Sequence, residues 1–197
     1  MNRIKKIEYA FGLLIGVAAF FLVIPYSVLF PSNIGWLGIA EDTRTYFLGW
    51  DFYRHSPWQL PISANPRYGM EISGSIFMTD TIPLIAIPLK AFNSFLPIVF
   101  QYHGIWLGVC FALQGLMAWQ ISSLLTSSKF NRALITALFL FPLPFLSRAT
   151  GHLPLMGHFF ILAALLICLR KYSIFSRYWV LVIAGAACTY AYLRLMG

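Results

Sequence analysis

The sequence predicts an all-α, polytopic membrane protein with about five transmembrane helices and surface-lying juxtamembrane helices in a long first extracytoplasmic loop. Three observations carry this. Hydrophobic residues make up 59% of the chain and charged residues only 10%, with a mean hydropathy of +0.75, whereas soluble domains carry about 25% charged residues. Apolar runs long enough to cross a hydrocarbon core recur along the chain. Three short basic clusters punctuate the chain, Arg3/Lys5/Lys6, Lys129/Arg132 and Arg170/Lys171/Arg177, and the positive-inside rule places them in the cytoplasm.

The elements follow in order from that topology. Residues 9–30 form the first span; they follow the first basic cluster, so the N-terminus is cytoplasmic. The run exceeds the apolar region of a signal peptide and no A-x-A-like site follows, so it is read as a retained helix. Residues 31–97 make the outer loop, and a segment near 98–125 returns to the cytoplasm. Residues 133–148 then go out and 154–170 come back. A fifth span starts near Tyr178, and the chain stops inside it.

Within the outer loop, Tyr46, Phe47, Trp50 and Tyr53 share one side of a helix predicted from Thr43 to His55, while Arg44, Asp51 and His55 share the other. This amphipathic helix is expected to lie along the membrane surface. Residues 56–70, rich in Pro, Ser, Asn and Gly, read as ordered turns. The apolar run IPLIAIPLKAF (82–92) contains Pro83 and Pro88 and is too short to span, so it is expected to be interfacial or re-entrant. A full crossing there would break the parity of the spans.

A net charge of +8 raises the question of nucleic acid, but the basic residues are dispersed among apolar runs without a basic face or an RNA-binding motif. The excess is a signature of topology, and no nucleic-acid partner is expected. Cys110, Cys168 and Cys188 lie in apolar stretches without metal-ligand spacing and read as small buried hydrophobes.

Polar chemistry concentrates in the outer loop, which holds Glu41, Asp42, Asp51, Glu71 and Asp80, five of the six carboxylates. Asp42 reads either as a general base or metal ligand at the membrane surface or as the N-cap of the helix that follows. Asp51 fits a solvated helix face with Arg44 and His55. Asp80 reads either as a cap of the proline-bearing segment or as a site carboxylate, and Glu71 as a loop carboxylate or a ligand. The outer ends of the later spans carry Arg148, His152 and His158. Ionisable groups at membrane depth are costly and usually face a cavity or the protein interior. Arg148 offers a phosphate-binding fork and His152 a metal ligand or proton carrier, whereas His158 alone reads as a core histidine. Gln101 and His103 enter the second span at the same level.

At these residues the chain resembles the GT-C glycosyltransferases, integral membrane enzymes that take a sugar from a polyprenyl-phosphate carrier. The shared features are a first span followed at once by an acidic residue and a long outer loop with surface helices. TDTIPLIAIPL resembles the acidic-then-proline stretch that opens the second juxtamembrane helix of protein mannosyltransferase-like and aminoarabinose-transferase-like members. The loop YFLGWDFYRHSPWQLPISANPRYGMEISGSIFMTDTIPLIAIPLKAF, with FQYHGIWL and GHLPLMGH, is similar to a bacterial branch of that superfamily over roughly residues 40–160.

The resemblance implies a hexosyltransferase of the bacterial inner (cytoplasmic) membrane. Its partners would be the bilayer and a polyprenyl-phosphate-linked sugar. Asp42 would be the catalytic base; Arg148, Arg44, Gln101 and His103 would bind substrate phosphate; Asp80 and His152 would hold a divalent metal. In relatives an acidic residue follows the Arg at the end of the third span, and here His152 stands near that position. Relatives run to more spans, so this chain is expected to be an N-terminal portion of such an enzyme. The alternative is a fragment of a transporter or lipid flippase, or a non-catalytic membrane subunit; the outward gathering of charge and the lack of a repeat favour the enzyme.

Overall fold

The computed structural model describes residues 3–39, 41–69 and 74–170, without the side chains of 3–7 and 41. Of the described residues 68% are helical and 3% are in strands. The helices are α1 (Arg3–Val23), α2 (Glu41–His55), α3 (Pro83–Ala91), α4 (His103–Ser122), α5 (Lys129–Leu140), α6 (Leu143–Gly151) and α7 (Phe159–Leu169). The expected fifth span, Glu71, Lys171, Arg177 and Cys188 lie outside the described residues.

Prolines set most of the boundaries. Helix α1 starts at Arg3 and stops at Val23, short of the expected residue 30. Pro25 has no N–H for the helical ladder and its ring would clash one turn back, so the chain passes into a single 3-10 turn, Tyr26–Leu29. The expected span over 133–148 is also broken. Helices α5 and α6 meet at a 45° bend, with Pro142 and Pro144 between Leu140 and Phe145. A 3-10 turn, Leu153–Met156, then leads into α7. Among the described helices, α4 alone is long and apolar enough to cross a membrane by itself, and α5 with α6 would make a second such unit if the bent pair is one span.

Helix α4 is the axis of the molecule, and α1 packs along it through glycines. A Cβ at Gly16 would lie 2.8 Å from Cα of Ala112, with the Phe111 carbonyl oxygen nearer still. One at Gly115 would lie 2.7 Å from Cα of Gly16, and one at Gly12 2.9 Å from Cα of Leu116. The two backbones touch, a contact open only to residues without side chains. At the other end of α4, Trp106 Nε1 donates to the Leu153 carbonyl at 2.7 Å and locks the 3-10 turn before α7 onto the axis.

The start of α1, the end of α4 and the start of α5 meet in a polar knot. Glu8, the one carboxylate outside the acidic loop, accepts hydrogen bonds from Arg132 Nη1 at 2.6 Å and from Trp119 Nε1 at 3.1 Å. The Arg132 guanidinium also lies 4.0 Å from the centre of the Trp119 ring and donates to the Trp119 carbonyl. One ion pair thus ties α1, α4 and α5 together. Ser128 caps α5 through its side chain, and Arg170 donates to Gln120 and Ser123.

The described residues between α1 and α4 form a folded cap. Its buried aromatic residues Tyr46, Trp50 and Tyr53 are the side of α2 that the periodicity picks out, but they pack into the protein and not onto a lipid surface. Trp50 Nε1 donates to the Phe100 carbonyl at 2.9 Å and Tyr53 Oη to the Ile62 carbonyl at 2.8 Å. The stretch expected as ordered turns contains a two-residue strand, β1 (Ala64–Asn65), antiparallel to β2 (Gly74–Ser75), with Ala64 opposite Ser75. This minimal ladder is the departure from a purely helical expectation. Helix α3 has Pro83 in its first turn and Pro88 inside, and its nine residues are too short to cross a bilayer.

Candidate functional site

Helix α2 begins at Glu41, so Glu41 and Asp42 belong to its first turn rather than preceding it. A carboxylate there opposes the positive end of the helix dipole. Asp42 is exposed, and Tyr46, four residues on, shares its face of the helix. The Tyr46 hydroxyl donates a short hydrogen bond to the carbonyl of Gly151, 105 residues away in sequence. Gly151 is the last residue of α6; Arg148 lies one turn before it and His152 directly after. One contact therefore brings the Asp42 end of α2 to the Arg148/His152 end of α6.

Arg148 pairs with His158 and not, as the chemistry of neighbouring residues would have it, with His152. Its Nη1 forms a short hydrogen bond to His158 Nε2. A guanidinium has no acceptor, so this ring nitrogen carries no proton and His158 is the neutral tautomer protonated on Nδ1. His158 is thus a partnered histidine, as the sequence reading of that residue alone favoured. Its partner leaves the rest of the Arg148 fork for another acceptor. His152 is exposed.

The remaining candidates divide. Gln101 is buried and its amide is spent on the backbone: Nε2 donates to the carbonyls of Val28 and Phe30, and Oε1 accepts from the N–H of Gly104. It clamps the outer end of α1 to the start of α4 and has no group left for a phosphate. His103 is fully buried, stacked on Tyr102 with ring centres 4.3 Å apart and facing Tyr46 at 6.4 Å; it lies beneath the Tyr46 contact, away from the surface. Arg44 is two residues from Asp42, on the far side of α2, where Nη2 donates to the Gly38 carbonyl at 2.9 Å. It does not join Arg148. Asp51 takes its structural reading, with His55 Nδ1 3.6 Å from its carboxylate.

Asp80 does not cap α3. The N-cap of that helix is Ile82, without a side-chain bond, because Asp80 sits in the left-handed region at φ 51° and turns the chain away. The neighbouring Thr79 packs on α2: a Cβ at Gly49 would fall 2.9 Å from its Cγ2, with Oγ1 closer. Gly49 is seven residues past Asp42 on the same side of the helix, so Asp80 lies roughly 10 Å further along α2. Among the described residues no three His, Cys, Asp or Glu side chains gather as a metal-holding group. Asp80 and His152 stand on separate elements and do not make up a divalent site by themselves.

Sequence reasoning missed two buried cations under this surface. Arg54 donates from Nε to Asn93 Oδ1 at 2.7 Å and from Nη2 to the Pro97 carbonyl at 2.8 Å. Lys90 lies 4.0 Å from the centre of the Tyr53 ring and 4.6 Å from that of Trp58, donating to the Pro57 carbonyl. Burial pushes both pKa values down. A signal was present in each case: Arg54 follows Trp50 by one turn, and Lys90 is the lone charge in an apolar run.

Fold and site together define a mainly helical protein built on an apolar central helix, with the Arg148–His158 pair at the end of α6 tied through the Tyr46–Gly151 hydrogen bond to the α2 turn that carries Asp42. The family model DUF6311, a domain of unknown function, matches residues 13–197. The chain belongs to this family. No curated protein and no solved structure matches it.

Proposed function

We propose that this is a multi-pass glycosyltransferase of GT-C type in the bacterial inner membrane, with the cluster around Tyr46 and Gly151 contributing to its active site. The observation that carries this reading is the Tyr46–Gly151 hydrogen bond, which ties the first turns of α2, where Asp42 is exposed, to the end of α6, where Arg148 is partly exposed. The membrane reading is supported by the apolar length of α4 and by the backbone-to-backbone packing of α1 on it.

In this reaction Asp42 takes the proton from the acceptor hydroxyl as its oxygen attacks the anomeric carbon of the sugar. The bond from that carbon to the carrier phosphate breaks, and the leaving polyprenyl phosphate keeps the electron pair. Arg148, oriented by His158, neutralises the charge that develops on the phosphate oxygens. A divalent ion would supply the same neutralisation, but the donors Asp80 and His152 by themselves form no complete site for one.

The test is transfer from radiolabelled polyprenyl-phosphate sugars in membranes that contain the protein. Asp42→Asn should abolish transfer while leaving membrane insertion intact. Transfer retained by that variant would remove Asp42 as the base.

A further inference from the structure

The segment 92–99 is more apolar on its outside than the rest of the cap requires. Phe95 is 84% exposed and Ile98 90% exposed, with Phe92 and Val99 exposed beside them. The inner side of the same segment is satisfied. Arg54 holds the Pro97 carbonyl and the Asn93 side chain, the Asn93 amide donates back to the Arg54 carbonyl, and Trp50 holds the Phe100 carbonyl. The N–H groups of Phe92, Phe95 and Leu96 all donate within the turn. A loop with part of its backbone polarity tied inward or within the turn, and its large apolar side chains outward, suits a surface poor in hydrogen-bonding water.

Its position names that surface. Phe100 and Gln101 lead straight into α4, and the Gln101 N–H donates to the Pro31 carbonyl at 2.8 Å, fixing the loop at the end of α1, where Tyr26 and Phe30 are also exposed. From Ala91 to Ser128 the sequence has no Lys, Arg, Asp or Glu. Aromatic and aliphatic side chains at the mouth of an uncharged apolar helix match the boundary between headgroups and acyl chains.

We propose that residues 92–99 form a lipid anchor that seats the cap in the outer leaflet, with Phe92, Phe95 and Ile98 entering the headgroup–acyl boundary and Arg54 bracing the loop from behind. The partner is the phospholipid surface itself. This anchor rests on the membrane reading proposed above and deepens it by fixing how the cap sits on the bilayer.

Single-cysteine variants Ile98→Cys, Leu14→Cys and Arg67→Cys, with Cys110, Cys168 and Cys188 replaced by Ala, test it when labelled with an environment-sensitive fluorophore in phospholipid vesicles. Leu14 and Arg67 are exposed on α1 and on the cap and serve as lipid-facing and water-facing references. The label at residue 98 should be blue-shifted, quenched by spin-labelled lipid and shielded from iodide, as at residue 14 and opposite to residue 67. A residue 98 label that behaves like residue 67 while residue 14 is quenched by lipid overturns the anchor and leaves the membrane reading standing. If residues 14 and 98 both report water, the membrane reading falls and the anchor with it. Shielding of residue 98 from both quenchers would mean that protein covers the loop, which also overturns the proposal.

Discussion

Replacing Gly16 by Ala tests the packing on which the whole arrangement depends. The new Cβ would stand 2.8 Å from Cα of Ala112 and 2.9 Å from the carbonyl carbon of Phe111. Carbon atoms rest at about 3.5–4.0 Å, so α1 and α4 must part by about 1 Å, since the obstructing atoms are backbone and cannot rotate away. Overpacking of this kind costs about 3 kcal/mol, at the upper end of its range. Alanine returns up to about 1 kcal/mol through its better helix propensity. The net loss of about 2 kcal/mol corresponds to a Tm lower by roughly 4–8 °C for a chain of this size. Thermal unfolding of the purified protein in lipid nanodiscs, followed by circular dichroism, measures it. Gly38→Ala is the control, because a Cβ there meets nothing within 4 Å. A Gly16→Ala protein as stable as the parent would refute the close α1–α4 approach.

Other perturbations probe the two polar ends. Tyr46→Phe removes the hydrogen bond to Gly151 and should cost about 1 kcal/mol; if the proposed site is right, sugar transfer falls with it while the protein still inserts, and unchanged transfer would argue against a shared site. Glu8→Gln leaves Arg132 facing a neutral amide. Because the Glu8 side chain is 25% exposed, the loss should be about 2 kcal/mol, the lower part of the range for bonds to charged groups, and adding Arg132→Met should recover part of it in a double-mutant cycle. Burial pushes the Tyr53 phenol from 10.0 up to about 12, so the folded state keeps a proton that the unfolded chain gives up. The stability from Tyr53 is therefore complete below pH 10 and is lost as the pH rises through about 12. Tyr53→Phe should flatten the alkaline limb of a denaturation-against-pH curve, and an unchanged limb would mean that the phenol is not held in this way.

Proline acts through its own covalent geometry, and Pro83 and Pro88 were legible in that way; the expected spans over 9–30 and 133–148 run through Pro25 and Pro142, where the structure breaks the helices. The aromatic face of α2 was legible too, through Tyr46, Trp50 and Tyr53 at helical spacing, but periodicity says which side of a helix is apolar and not what covers it. The same limit applies to Gln101. As a residue type it suits phosphate, and only its three backbone partners show it as a clamp. Arg44 and Asp42 are two residues apart in sequence, yet the helix turns them to opposite sides.

Composition, the placement of basic clusters and the spacing of apolar residues determined by themselves that this is a mainly helical protein with its carboxylates gathered in one loop, since these properties depend on neighbours within a few turns. The tertiary structure decided which groups meet: Tyr46 with Gly151, Arg148 with His158 rather than His152, Glu8 with Arg132, and the backbone of α1 with that of α4. Each of these joins residues on different elements, and Arg148 and His158, only ten positions apart, are brought together by the turn between α6 and α7. Such pairings arise from how helices dock, which is set by shape summed over many residues, and no local pattern encodes them.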